Sequence, residues 1–207
     1  MPQIIAFIGP RGCGKTSAAN ILTNRCGFLP LPFAAPIKEM VAALLHYQGV
    51  PPYSIQAMLL GSRKDAPSVY LAGQSPRYVM QTLGTEWRDL IDRRLWSDIW
   101  QQRLKLIGSR NIVVDDMRFH HEAEAVKAAG GRILTVSRPT HKVCARHISE
   151  QEWKEIEPDG ILVNDEGKQE ELFDQLSALG LVPLNTLPHD VPLPLDIPGS
   201  LRSPSRK

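Results

Sequence analysis

Cysteine is scarce: Cys13, Cys26 and Cys144 are the three in 207 residues. An odd count with no CxxC spacing argues against a disulfide framework or a thiolate zinc site, and makes the cytoplasm the natural compartment. The histidines add no helical metal pair, because His120 and His121 are adjacent rather than one turn apart. Long apolar runs are also missing. A stretch such as Ile4-Ile5-Ala6-Phe7-Ile8 is far too short to span a bilayer, and the Met-Pro-Gln start has no basic region of a signal peptide. Neither sign of charge dominates. A formal net charge of +2 does not describe a polycation built to coat nucleic acid, so neither a membrane nor a nucleic acid is expected as a partner.

What is present is ordinary in amount and uneven in distribution. Apolar residues make up 43% and charged residues 22%, as in a soluble globular protein of one domain with an appendage. The small net charge is a cancellation. Residues 1–118 carry fourteen Lys/Arg against eight acids, whereas residues 119–180 carry seven against twelve. Residues 181–207 hold six of the seventeen prolines and no helical periodicity. They read as an extended or disordered tail, with docking through Leu193, Leu195 and Ile197 as the alternative.

Between these limits, short apolar runs alternate with helical patterns. Ile4–Ile8, Asn111–Val114, Ile133–Val136 and Ile161–Val163 read as buried strands. Phe28–Phe33, broken by Pro30 and Pro32, can be only a short or edge strand. Helical spacing marks Lys15–Arg25, Ile37–Leu45, Ser54–Leu60, Leu95–Ile107, Glu122–Ala129, His147–Ile156 and Glu170–Leu179. Ser75-Pro76 is a good cap and first-turn pair for a further helix, which Gly84 is expected to break. Residues 61–74 read as a mobile loop. The alternation predicts an α/β three-layer fold with a mainly parallel sheet.

The first turn carries the chemistry. Gly9-Pro10-Arg11-Gly12-Cys13-Gly14-Lys15-Thr16 matches G-x-x-x-x-G-K-[ST] in full, with a strand before it and a helix after it. The glycines let the backbone wrap around phosphate oxygens with N–H groups inward, and the helix N-terminus adds its partial positive charge. Lys15 would reach the β- and γ-phosphates and the Thr16 hydroxyl would ligate Mg²⁺. Gly9, Arg11, Gly12, Cys13, Gly14, Lys15, Thr16 and Ser17 are thus the candidate nucleotide-phosphate-binding residues, with Cys13 read as a tolerated small residue. No Asn-Lys-x-Asp guanine-reading element occurs, and the length suits a compact kinase of a small phosphoryl acceptor better than a motor or helicase.

Further stretches follow in order: Phe33-Ala34, Pro36 and Lys38; Ser75-Pro76-Arg77 through Gln81 to Gly84-Thr85-Glu86; Asp116-Met117-Arg118-Phe119 with Glu122; Arg138-Pro139; and Asn164-Asp165. Together with the phosphate loop this set resembles the phage-type deoxynucleoside monophosphate kinase family of the P-loop nucleoside/nucleotide kinase superfamily, over about residues 3–180. His120-His121 departs from the pair more usual there. The resemblance implies transfer of the γ-phosphoryl of ATP to a deoxynucleoside monophosphate. It implies a kinase domain over 1–180, with an acceptor-binding region at about 34–107 and a lid at about 138–155. A related small-molecule kinase, such as one for dephospho-coenzyme A, and a non-catalytic ATP-binding assembly protein are the alternatives. Homodimerisation is left open.

A phosphate monoester is already largely a dianion at neutral pH, so converging cations rather than a general base are expected. Lys15, Arg77, Arg118 and Arg138 are the candidate catalytic residues. Arg77 stands in the first turn of its helix, where a cation opposes the helix dipole, so helix stability does not explain it. Gln81 lies one turn on and could pair with a base edge. Lys38, Arg88 and Arg118 complete the candidate acceptor set. Arg138 and Arg146 are the candidate lid arginines, Arg146 on the ATP side. Asp115 and Asp116 end a strand where a Walker-B carboxylate would hold Mg²⁺, and the sequence does not separate them.

Overall fold

In the computed structural model, which describes residues 2–138, 152–165 and 168–181, five parallel strands form one sheet in the order β2-β3-β1-β4-β5. The strands are β1 (Ile4–Ile8), β2 (Leu29–Pro30), β3 (Ile112–Val114), β4 (Arg132–Ser137) and β5 (Gly160–Val163). Central strands of a parallel sheet are covered on both faces and must be apolar at every position. β1 and β3 meet that condition, every residue of each being buried. The period of two divides them between two cores. Ile5, Phe7, Val113, Leu134, Val136 and Leu162 face α1 (Lys15–Cys26) and α8 (Gln169–Ala178). Ile4, Ala6, Ile8, Ile112, Val114 and Ile133 face α6 (Leu95–Ile107) and α7 (His120–Ala128). This is the expected three-layer α/β fold.

Pro30 is tolerated because β2 lies at the sheet edge and pairs only with β3. Leu29 and Leu31 donate their N–H groups to Asn111 and Val113, so the missing donor of Pro30 faces away from the ladder. The indole N–H of Trp100 on α6 donates to the Leu31 carbonyl at 2.9 Å, and its ring stacks on Phe33 at 5.0 Å. This fixes where the chain leaves the sheet for the helical region that follows.

That region has its own helical core. It is built from α2 (Ala35–Tyr47), α3 (Pro52–Leu59), α4 (Pro76–Thr82) and the start of α6, around Ile37, Val41, Leu45, Met58, Met80 and Trp96. The Ser75 hydroxyl caps α4 by accepting from the Tyr78 N–H.

Gly84 does not end this helix, against expectation. The chain runs on through a π-helical turn, Leu83–Trp87, into α5 (Arg88–Ile91). A glycine costs a helix only about 1 kcal/mol, too little by itself to end one. The helix expected over His147–Ile156 falls mostly outside the described residues; its last part, Glu152–Glu155, is a 3₁₀ turn. The tail beyond Leu181 also lies outside them. Among the described residues no helix is long and apolar enough to cross a membrane.

Candidate active site

The carboxyl ends of β1, β3, β4 and β5 meet at the phosphate loop. Gly9, Gly12 and Gly14 all take positive φ, of 137°, 81° and 106°, a region where side chains are strained. At two of these positions there is also no room. A Cβ at Gly9 would run into the Val136 carbonyl of β4, and one at Gly14 into the Asn164 amide beyond β5. Asn164 holds the loop from beneath, its buried Nδ2 donating to the Cys13 carbonyl at 2.8 Å. Cys13 is buried, which fits a packing role for its thiol. The Lys15 ammonium curls back over the loop and donates to the carbonyls of Gly9 at 2.7 Å and Pro10 at 2.9 Å. Ser17 follows in the first turn of α1.

Adjacent aspartates have separate tasks. Asp115 receives the Thr16 hydroxyl at 2.8 Å, joining the end of β3 to the start of α1. Asp116 turns the other way, to the segment that follows β2. It is half-buried, and its two oxygens accept the N–H groups of Phe33 and Ala34, each at 2.9 Å. Burial, and then the neighbouring Asp115 charge, push its carboxyl above the usual range, against the pull of Lys38 and the two backbone donors. Asp116 is therefore not brought to Thr16; of the two, Asp115 is the carboxylate beside the Thr16 hydroxyl. A hydroxyl and a carboxylate suit Mg²⁺, which takes hard oxygen ligands and keeps waters and substrate phosphates for the rest. No three His, Cys, Asp or Glu among the described residues converge on a metal position.

Beside the loop lies a second cleft, where Lys38 of α2, Arg77 and Gln81 of α4, and Arg118 after β3 come together. Phe33, Ala34, Ile37 and Met80 give it apolar lining; Gly84, Thr85, Trp96 and Phe119 also border it. Arg77 and Gln81 share it, as their one-turn spacing requires. Lys64, in the stretch read as a mobile loop, lines it too. Burial and the charges of Arg77, Lys38 and Arg118 lower the Lys64 ammonium to a pKa of about 8. Glu122, at the start of α7, is buried and accepts the N–H groups of Arg118 and Phe119. Burial, then repulsion from Asp116, push it up to about 8. Its tie to Arg118 is made through the backbone, and the Arg118 side chain lines the cleft.

Asp65 joins the two clefts. Its carboxylate accepts from Arg11 of the phosphate loop at 3.1 Å and from both Nε and Nη2 of Arg77. The Arg77 hydrogen bond, with the nearby Arg11, holds this carboxyl below its ordinary range.

Arg88 is not brought to the cleft. It is 1% exposed, lies over the Phe119 ring at 4.5 Å, and pairs with Asp89. Arg88 also donates to His121 Nε2 at 3.0 Å. A guanidinium has only donors, so Nε2 accepts and the Nδ1–H donates to the Ser97 hydroxyl at 2.6 Å. Burial, then the Arg88 charge, lower His121 to about 4. Arg88 is thus a structural joint between α5, α6 and α7. Charge pattern alone could not show that it points inward. Arg138 stands half-buried just past β4, on the loop side. Arg146 and most of the expected lid lie outside the described residues.

A phosphate loop after the first strand, a hydroxyl–carboxylate pair beside it and an adjoining cation-lined cleft define a phosphotransferase of the P-loop kinase class. The family model for deoxynucleotide monophosphate kinase matches residues 71–176, about half of the chain, and the chain belongs to that family. It is 29% identical over 185 residues to a putative deoxynucleotide monophosphate kinase of Acanthamoeba polyphaga mimivirus, covering 84% of this chain and 93% of the relative. To the deoxynucleotide monophosphate kinase of Enterobacteria phage T4 it is 34% identical over 111 residues, 49% of this chain and 44% of that one. A solved structure from Thermus thermophilus aligns with 86% of this chain and 96% of its own at 15% identity and a TM-score of 0.46.

Proposed function

We propose that this chain transfers the γ-phosphoryl of ATP to a deoxynucleoside monophosphate, giving the diphosphate, with the phosphate loop as donor site and the cation-lined cleft as acceptor site. The observation that carries this reading is the shared Asp65 carboxylate. Arg11 on the donor side and Arg77 on the acceptor side touch the same group, so the two phosphates would meet within a side chain's reach.

The acceptor phosphate, with a second pKa of about 6, arrives as a nucleophilic dianion and needs no general base. The chemical difficulty is to hold two polyanions in line. Lys15 and the inward N–H groups of the loop would hold the donor phosphates, Lys15 leaving the Gly9 and Pro10 carbonyls for them. Mg²⁺, held by Thr16 and Asp115, would offset charge on the β- and γ-phosphates. Arg77 would grip the acceptor phosphate through two parallel N–H groups, with Lys38 and Arg118 beside it. Gln81 would offer its amide to the base edge, and Asp116 would hold the Phe33–Ala34 segment from which Lys38 is displayed. Arg138 and Arg146 would close on the ATP side and keep water from the γ-phosphate. The working compartment consistent with free thiols is the cytoplasm.

The test is a coupled ADP-release assay with ATP, Mg²⁺ and each deoxy- and ribonucleoside monophosphate. Acceptor-dependent ADP with at least one deoxynucleotide is expected. ADP release indifferent to every monophosphate would sink the reading.

A further inference from the structure

A half-buried ammonium beside other cations is costly, and Lys64 is in that position. The segment after α3 is not loose here. Arg63 donates its N–H to the Ala57 carbonyl, and the Arg77 N–H at the head of α4 donates to the Lys64 carbonyl at 2.9 Å. Lys64 is thereby pinned between two helices of the acceptor region, with its side chain on the cleft. Three cations act on it there: Arg77 from α4, Lys38 from α2 and Arg118 from the end of β3. The attractive neighbour is Asp65, whose carboxylate is already shared by Arg77 and Arg11. The Lys64 ammonium makes no hydrogen bond or ion pair to any described residue. Removing a lysine from water without giving it a partner destabilises the chain. Four cations around one cleft form a site that a compact polyanion would complete.

We infer that Lys64 is a further acceptor-phosphate ligand, its ammonium completing with Arg77 and Lys38 a cationic cradle for the dianionic phosphate monoester. The inference rests on the kinase reading of the cleft. It deepens that reading by assigning Lys64, whose Gly- and Pro-rich surroundings read only as a loop. An ammonium suppressed towards neutrality by its neighbours regains its proton when a dianion binds. Acceptor capture therefore falls as pH rises through about 8 in the free enzyme. Asp116 and Glu122 line the same cleft and Glu122 is pushed up to about 8 as well, so the variants must tell the two groups apart.

The experiment measures kcat and KM for a deoxynucleoside monophosphate and for ATP in the full chain, Lys64→Gln and Lys64→Arg, between pH 6 and 9.5. Lys64→Gln should raise the acceptor KM about ten- to a hundredfold. The ATP KM should stay close to that of the parent, and the melting temperature of the free chain should be no lower than the parent's. Lys64→Arg should recover most of the affinity and move the alkaline fall of kcat/KM for the acceptor upward, because arginine keeps its proton. An unchanged acceptor KM in Lys64→Gln overturns the inference, as does an equal rise in the ATP KM. An alkaline fall retained in full by Lys64→Arg also overturns it, by placing the titrating group at Glu122. If the parent chain releases no ADP with any monophosphate, the kinase reading itself fails and this inference with it. Parental turnover with Lys64→Gln unaffected removes the inference alone.

Discussion

Asp115 and Asp116 are neighbours in sequence but should respond oppositely to the same substitution. Asp116→Ala removes the acceptor of two backbone N–H groups, those of Phe33 and Ala34. Each orphaned, largely buried donor costs about 1–3 kcal/mol. Part of that loss is offset, because burial and Asp115 already disfavour the Asp116 charge. A net loss of about 2–4 kcal/mol is expected, a large share of the roughly 5–15 kcal/mol that holds a domain together. Asp116→Asn should lose about 1–2 kcal/mol, since its one carbonyl oxygen can serve only one of the two donors. Both variants should raise the acceptor KM by loosening the segment that displays Lys38, with little change in Mg²⁺ requirement. Asp115→Asn should be the mirror case. Its amide oxygen can still accept from the exposed Thr16 hydroxyl, so stability should change by no more than about 0.5 kcal/mol. Its apparent affinity for Mg²⁺ should fall at least about tenfold. Urea melts and activity titrated with Mg²⁺ read the two effects separately. A shifted Mg²⁺ requirement in Asp116→Asn, together with a stability loss in Asp115→Asn, would reverse the assignment and refute the reasoning.

Arg77→Ala should raise the acceptor KM or lower kcat by about thirty- to a thousandfold, the scale of a two-pronged charged hydrogen bond. ATP binding, followed by calorimetry, should change by less than about threefold; its loss would move Arg77 to the donor side. The Glu122 carboxyl is raised to about 8 when folded, from an ordinary 4.5. The folded chain then holds a proton that the unfolded chain gives up, so this group's contribution to stability declines as pH rises from about 4.5 to 8. Glu122→Gln keeps the acceptor oxygen, and its melting temperature should gain on the parent across that window; parallel curves would refute the shift. His121 is lowered to about 4 from 6.5, so its contribution is full above pH 6.5 and is lost as pH falls towards 4. His121→Gln should flatten that acid limb in a pH series of melting temperatures, and an unchanged limb would assign it elsewhere.

The parts legible in the sequence were those written in local pattern. β1 announces itself as five apolar residues because both of its faces are covered, and the phosphate loop because glycine spacing and context coincide. Pro30 marked an edge strand for the same local reason. What escaped depended on direction or on partners far along the chain. Lys64 sits among loop residues, and only the backbone hydrogen bonds around it, to Ala57, Gly61 and from Arg77, reveal that its backbone is fixed. Arg88 carries the same charge as Arg77 on the same continuous helix, yet the extra residue of the π-turn between them helps turn it towards Phe119 and His121. Asp115 and Asp116 point to opposite sides of a strand end, and no spacing rule distinguishes two adjacent carboxylates. Gly84 is expected to stop a helix, but the helix runs on through it, since one glycine costs too little to end a helix.

The central claim is that phosphoryl passes directly from donor to acceptor across the space bridged by Arg11, Asp65 and Arg77. The most direct measurement follows γ-labelled ATP incubated with the chain, Mg²⁺ and single deoxynucleoside monophosphates, with products separated by chromatography and Lys15→Met as control. The account predicts label in a deoxynucleoside diphosphate and almost none in the control. Label recovered only as inorganic phosphate, or unchanged in ATP with every acceptor, would contradict it.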